Sequence, residues 1–346
     1  MAIDEQFITE LIEDHDPLAA VWRQMERIYA VDDFPQDLRA FMDDRESALN
    51  DLERGVYRGF FEAYDLLLER AGAQDESYVL SLFDECPFVI IADSLSVREA
   101  VLLEKFWDGA ERPPRFPKPL RSEWEVKREG FAVAPFPPMT DSLSSLLLGV
   151  PGPASGRQRP PRFGKPRRSG HLQFTYRYVA GPEHIPAMPP SDSLLVWMRL
   201  PDTALEEVTV AQTHTVADAF QSTARTLAAV LEASGRDEAL VTSDHGYLYA
   251  RSPTQYWPMP AGVEEIARST FPRASRVRLL TDERARGLRD HEAPAVEGRF
   301  FAFGETHATI RGRYWWGSAS PNDRCTAHGG LSFVECMVPV LRIWRR

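Results

Sequence analysis

Carboxylates and imidazoles recur in this chain where it turns after an apolar run. In LVTSDHGYLY, residues 240–249, Asp244 and His245 follow a short apolar stretch and precede a glycine. A strand ending this way sets a carboxylate beside an imidazole at a sheet edge, where α/β folds place their chemistry. The same ten residues also have the form of a surface turn, opened by Asp and completed by Gly. Asp93 ends PFVIIAD, Asp202 follows SLLVWMRL with Glu206 four residues on, and His328 precedes Gly329 and Gly330. Mixed carboxylate and imidazole sets suit Zn2+ and, less selectively, Mn2+ or Mg2+. Thr140 opens an apolar helical stretch after FAVAPF, the position of a helix cap.

Such residues act together only if the fold gathers them. PFVIIAD is a continuous apolar run rich in branched residues, the pattern of a buried strand, and SVREAVLLEKFW reads as the helix after it. FAVAPF, SLLVWMRL and EALVTS read as strands, SRVRLL and GRFFAFG as shorter ones. VADAFQSTARTLAAVLEASG reads as a long helix with a closing glycine, and HGGLSFVECMVPVLRIW as a loop, a short helix and a last strand. Strands alternating with helices predict an α/β fold with a mostly parallel sheet covered on both faces. Candidate ligands after separate strands then converge on one sheet edge. Upstream, residues 5–72 place apolar side chains at three- and four-residue spacing, which predicts helices. We divide the chain into an acidic helical segment, 1–80, and a main domain, 81–346. The helices are expected to pack on that domain or on a protein partner. Residues 151–170, rich in Pro, Gly and Arg, predict an exposed basic loop.

The whole chain narrows the class. Its 346 residues suffice for a large core, and its 43% hydrophobic and 26% charged content is ordinary for a globular protein. No run approaches the roughly 20 apolar residues that cross a bilayer, and the acidic amphipathic start resembles no targeting peptide. Cys86, Cys325 and Cys336 form no CxxC pair; together these features lead us to expect a cytoplasmic protein without membrane attachment. Residues 1–110 carry 26 acidic and 9 basic side chains, so this part holds −17 of a net −11 and the remainder holds +6. General duplex-DNA binding is disfavoured, while a basic face remains for steering a phosphate-bearing ligand.

Four stretches, FVIIADSLSVREA, PPMTDSLSSLLLG, LVTSDHGYLY and HGGLSFVECMVPVL, together resemble the alkaline phosphatase superfamily, most nearly its PglZ-domain branch. The likeness runs from about residue 87 onward. It implies an alkaline-phosphatase-like three-layer sandwich with a mostly parallel central sheet, preceded by the α-helical segment. It also implies a metal-dependent hydrolase of phosphoric esters with two divalent cations. Asp93, Asp244 and His245 match the ligands of the cation nearest the nucleophile, and His328 matches the distal histidine of the other. Asp202 with Glu206 matches the remaining pair, with His214 beside Asp218 competing for the place of Glu206. Thr140 matches the nucleophile, with Asp141 and Ser142 immediately after it. Arg98 falls where the branch carries an arginine, so it is expected either on the phosphate or in a surface salt bridge. The implied substrates are phosphodiesters, including short or cyclic oligonucleotides, in bacterial defence or signalling. A phosphomonoesterase on the same scaffold is one alternative. Another is an inactive domain that binds a partner through its N-terminal helices. Trp315 and Trp316 are expected in packing, or else as a base-stacking platform.

Overall fold

The computed structural model describes residues 3–32, 35–74, 77–107, 124–148, 167–169, 172–183, 185–188, 192–209, 214–271, 275–290, 299–316 and 324–346. Aspartates start the leading helices by accepting otherwise unpaired N–H groups. Asp4 caps α1 (Glu5–Glu13), Asp16 caps α2 (Pro17–Tyr29) and Asp37 caps α3 (Leu38–Gly59). Pro17 stands at the first helical position of α2, where no intrahelical donor is needed. α4 (Glu62–Ala73) and α5 (Ser77–Glu85) complete the segment. Their buried faces, among them Leu18, Leu49, Leu67 and Val79, join one continuous core with the strands that follow.

The main part runs β1 (Phe88–Ala92), α6 (Val97–Trp107), β2 (Trp124–Val133), α7 (Thr140–Leu148), β3 (Arg167–Ser169), β4 (Leu172–Val179) and β5 (Leu194–Met198). It continues through α8 (Asp202–Leu205), α9 (Val216–Ser234), β6 (Glu238–Thr242), β7 (Leu248–Tyr249), β8 (Trp257–Pro258) and α10 (Ala261–Thr270). Then come β9 (Val277–Leu279), α11 (Glu283–Asp290), β10 (Phe301–Phe303), β11 (His307–Ile310), β12 (Tyr314–Trp315), β13 (Thr326–Ala327), α12 (Phe333–Cys336) and β14 (Met337–Arg345). α9 opens on a reciprocal capping box between Thr215 and Asp218 and ends on left-handed Gly235.

Seven strands form one sheet in the order β2-β14-β6-β1-β5-β4-β3. β6, β1, β5 and β4 run parallel, β14 runs against both its neighbours, and β3 runs against β4. The fold is therefore α/β with a mostly parallel central sheet. β1 lies among parallel neighbours with all five residues buried, which is why its sequence is apolar without alternation. Ala92 pairs with Met198 and Ile91 with Thr242, so β1, β5 and β6 end level with one another. β2 points the same way, and β14 starts from that edge. Loops leaving β1, β2, β5 and β6, and the loop entering β14, all meet there.

Some elements differ from the sequence reading. The strand assigned to FAVAPF begins earlier, at Trp124, and stops at Val133. β4, in LQFTYRYV, was not read as a strand; its apolar and polar positions alternate beside a basic stretch. Residues 151–166 and 170 of the basic loop lie outside the described residues. Trp315 and Trp316 are buried in two apolar clusters, so neither offers a free ring face for stacking bases.

A buried ion network ties the leading helices to α6 and to the turn between β11 and β12. Glu46 of α3 pairs with Arg98 of α6 and, at 2.8 Å, with Arg313; Glu53 of α3 pairs with Arg313 at 3.2 Å. Arg98 also donates to the Tyr247 carbonyl at 3.0 Å and lies over the Tyr247 ring. Burial pushes the Glu46 carboxyl up, yet the two arginines outweigh it and hold it at about 2. Among the described residues, no helix is long and apolar enough to cross a membrane.

Candidate metal centre

The level ends of β1 and β6 put Asp93 and Asp244-His245 side by side. Asp93, Asp244 and His245 are all buried, with one ligand-capable atom from each within 4.8 Å of the others. Asp202, His245 and His328 form a second such group, more open because Asp202 and His328 are only partly covered. His245 belongs to both groups. Its ring stacks on that of His328 with centroids 4.4 Å apart.

The orientation of His245 follows from its neighbours. Its Nδ1 lies 2.9 Å from the carbonyl of Gly246. A carbonyl only accepts, so Nδ1 carries the proton. Nε2 then faces Asp93 Oδ1 at 3.5 Å and Asp244 Oδ2 at 3.7 Å. Gly246 permits this turn: a Cβ there would lie 2.0 Å from the carbonyl oxygen of Val334. Glycine allows the backbone N–H to reach the Glu335 carbonyl at 2.9 Å.

His328 is positioned from the other side. Glu335 pairs with Arg276 at 2.9 Å and accepts from the Gly330 N–H at 2.9 Å and the Ser332 hydroxyl at 2.6 Å. The guanidinium of Arg276 occupies the place of a Cβ at Gly330, 2.3 Å away, so the HGG turn needs glycine at that position.

Thr140, at the start of α7, completes the cluster. Its hydroxyl donates to Asp93 Oδ1 at 3.1 Å and lies 3.3 Å from His245 Nε2. Ser142 donates instead to the Pro137 carbonyl at 2.7 Å, which separates the two hydroxyls named from the sequence. Asp141 stands beside Thr140, its carboxyl raised by burial.

The charge of this cluster is unbalanced. Burial, with Asp244 and Asp202 nearby, drives the Asp93 carboxyl well above its ordinary range. Burial and the adjacent His245 hold His328 below the usual imidazole range. Asp244 Oδ2 and His328 Nδ1 are buried without a hydrogen-bond partner among the described residues. Clustered carboxylates, a neutral-favouring imidazole and buried polar atoms without partners are the environment that a divalent cation satisfies, and the oxygen–nitrogen donor set suits one. The residues fit the group.

Two sequence expectations fall outside the cluster. Glu206 is 40% exposed and turns to Arg324 at 3.4 Å, outside both donor groups. His214 is exposed and faces Glu207 at 3.7 Å. Neither completes the second group. Its third member is His245, shared with the first. Arg98 lies in the buried ion network with Glu46, away from the donor groups, so it forms a salt bridge in the interior and not at the surface as expected. Ser94 was missed. It follows Asp93 directly, and its hydroxyl lies 3.0 Å from Asp202 and 3.1 Å from His245 Nδ1.

No family model matches this chain, and no curated protein matches it. Among solved structures it is similar to phosphonoacetate hydrolase from Sinorhizobium meliloti 1021, in complexes with phosphonoacetate and with phosphonoformate. Both comparisons give 15% identity and a TM-score of 0.26, and cover 75% of this chain and 66% of the hydrolase. This chain thus spans a little under two thirds of that protein's length. A likeness at this level carries no activity from one protein to the other.

Proposed function

We propose that this chain is a metal-dependent hydrolase of phosphoric esters, with Thr140 as its nucleophile and the three-layer arrangement of the alkaline phosphatase superfamily, of the PglZ-domain kind. The observation that supports this most is the hydroxyl of Thr140 lying against Asp93 and His245, where the two donor groups meet.

A bound divalent cation supplies Lewis acidity, which lowers the pKa of a hydroxyl or water and offsets charge on phosphoryl oxygens. Asp93, Asp244 and His245, through its Nε2, would hold one such ion, and Asp202 and His328 would supply donors to the other. Thr140 Oγ1 already directs its proton to Asp93 Oδ1, which leaves the oxygen's lone pairs free for attack. α7 begins at Thr140, and a helix N-terminus is a setting that favours an incoming phosphate. The Oγ–P bond forms as the bond from phosphorus to the leaving oxygen breaks, giving phosphothreonine. Water then cleaves the Oγ–P bond and restores the hydroxyl. The Gly246 carbonyl holds His245 in one tautomer through both steps.

The substrate reading extends to phosphodiesters of nucleotides or short or cyclic oligonucleotides, in bacterial defence or signalling in the cytoplasm. The sequence resemblance and the +6 charge beyond residue 110 support it. A second reading, a partner-binding scaffold that has lost one cation, draws on Glu206, which faces Arg324 rather than the donor groups. Metal analysis of the purified chain, with hydrolysis of an aryl phosphodiester and the matching monoester, separates the readings. We expect about two divalent ions per chain and faster turnover of the diester. Faster monoester turnover makes the protein a phosphomonoesterase. Less than about one ion, with no hydrolysis of either ester, leaves the scaffold.

A further inference from the structure

Ser94 stands between β1 and α6, fully buried, with φ +67°. That is the left-handed region, unfavourable for a residue with a Cβ and free of strain for glycine. The turn alone therefore calls for glycine, and the serine is explained by what its polar atoms reach. Its N–H donates to Asp244 Oδ1 at 3.2 Å. Its hydroxyl donates to Asp202 Oδ1 at 3.0 Å, so toward His245 Nδ1, at 3.1 Å, it accepts. Asp244 belongs to one donor group, Asp202 to the other, and His245 to both.

We propose that Ser94 is a positioning residue that couples the two donor groups, so that the two cations bind as a linked pair. This inference rests on the metal-dependent reading above. The Nδ1–H of His245 orients the Ser94 hydroxyl, and the hydroxyl in turn fixes the carboxylate of Asp202. Whatever orders His245 in the inner group thereby orders Asp202 in the outer one. Ser94 faces the ring nitrogen opposite the one beside Thr140, so it lies behind the reacting side and is not an alternative nucleophile.

The test is calorimetric titration of the chelated full chain with Zn2+, repeated with Mn2+, for wild type, Ser94→Gly and Ser94→Ala. Melting of each metal-free protein is measured alongside. The glycine variant removes the hydroxyl and relieves the backbone, while the alanine variant removes the hydroxyl and keeps the strain. Both should bind each of the two ions on the order of 10- to 100-fold more weakly, and metal-free Ser94→Gly should melt no lower than wild type. Loss of affinity for one ion only, or for neither, overturns the coupling. So does failure of both variants to fold without metal, because that assigns Ser94 to the fold alone. A wild-type chain that takes up neither ion overturns the metal-dependent reading itself, and the coupling with it.

Discussion

Two buried clusters of charge lie in this molecule, and they are built on opposite principles. Around Glu46 and Glu53 each carboxylate meets an arginine, Arg98 or Arg313. Around Asp93, Asp244 and Asp202 the carboxylates meet one another and two imidazoles, with no arginine or lysine among their ion-pair partners in the described residues. Burial raises the carboxyl pKa in both places. The arginines reverse that effect at Glu46, whereas neighbouring carboxylates reinforce it at Asp93. A paired cluster fastens the leading helices to α6 and to the turn between β11 and β12; an unpaired one is an environment whose charge a cation would balance. Arg98 shows the value of the distinction. From its place in the sequence it passes for a phosphate ligand, yet it belongs to the fastening.

The comparison breaks most sharply on Thr140. Thr140→Ala should lower turnover of an aryl phosphodiester by roughly a thousandfold or more, with metal content and melting temperature unchanged. Unchanged turnover would show that another group attacks. On the other side, Glu46→Gln leaves two buried guanidinium groups short of a partner. It should cost about 3–5 kcal/mol in denaturant unfolding while metal uptake by the folded protein stays the same. If uptake falls with stability, the two clusters are not separate devices.

Acid distinguishes the clusters by sign. The carboxyl of Glu46 sits at about 2 in the folded chain, against 4.5 as its ordinary value. Its contribution, on the order of 3 kcal/mol, is present above pH 4.5 and is lost as the pH falls toward 2. Unfolding free energies between those limits should show that loss in wild type and a flatter profile in Glu46→Gln. Asp93 works the other way: its raised pKa means that the chelated protein gains stability as this group takes up a proton. Saturating Zn2+ or Mn2+ should stabilise the folded chain by about 2.7 kcal/mol for each bound ion at a free concentration of 100 Kd. A melting temperature indifferent to the ion would remove the contrast between the clusters. The smallest effect belongs to Glu206→Gln. It breaks an exposed pair worth about 0–1 kcal/mol and should leave ion stoichiometry as it was; loss of one ion would return Glu206 to the ligand set.

Much of this was legible in the order of residues. β1, β5 and β6 lie within PFVIIAD, SLLVWMRL and EALVTS because buried parallel strands are apolar on both faces. Asp93, Asp202 and Asp244 then mark the sheet edge. The closing strand was legible too, but not its place between β2 and β6, since pairing across such distances leaves no local trace. Ser94 escaped notice because a serine after a strand ordinarily signals a turn. Glu206 misled because its spacing from Asp202 fits a ligand pair, while its actual partner, Arg324, lies more than a hundred residues away.

β14 carries a consequence for how the protein is made. It starts at Met337, long after β6 ends at Thr242, yet it sits inside the sheet between β6 and β2. While a ribosome is still translating the residues before 337, β6 has an open edge of unpaired N–H and C=O groups, and β2 has nothing to pair with. That edge is apolar and sticky, the kind of surface that recruits other nascent chains or a chaperone. Asp93, Asp244 and His245 are all synthesised by then, but the turn that carries His328 becomes anchored only when Glu335 arrives. A stalled or truncated product would therefore be prone to aggregate and would carry only part of the two donor groups.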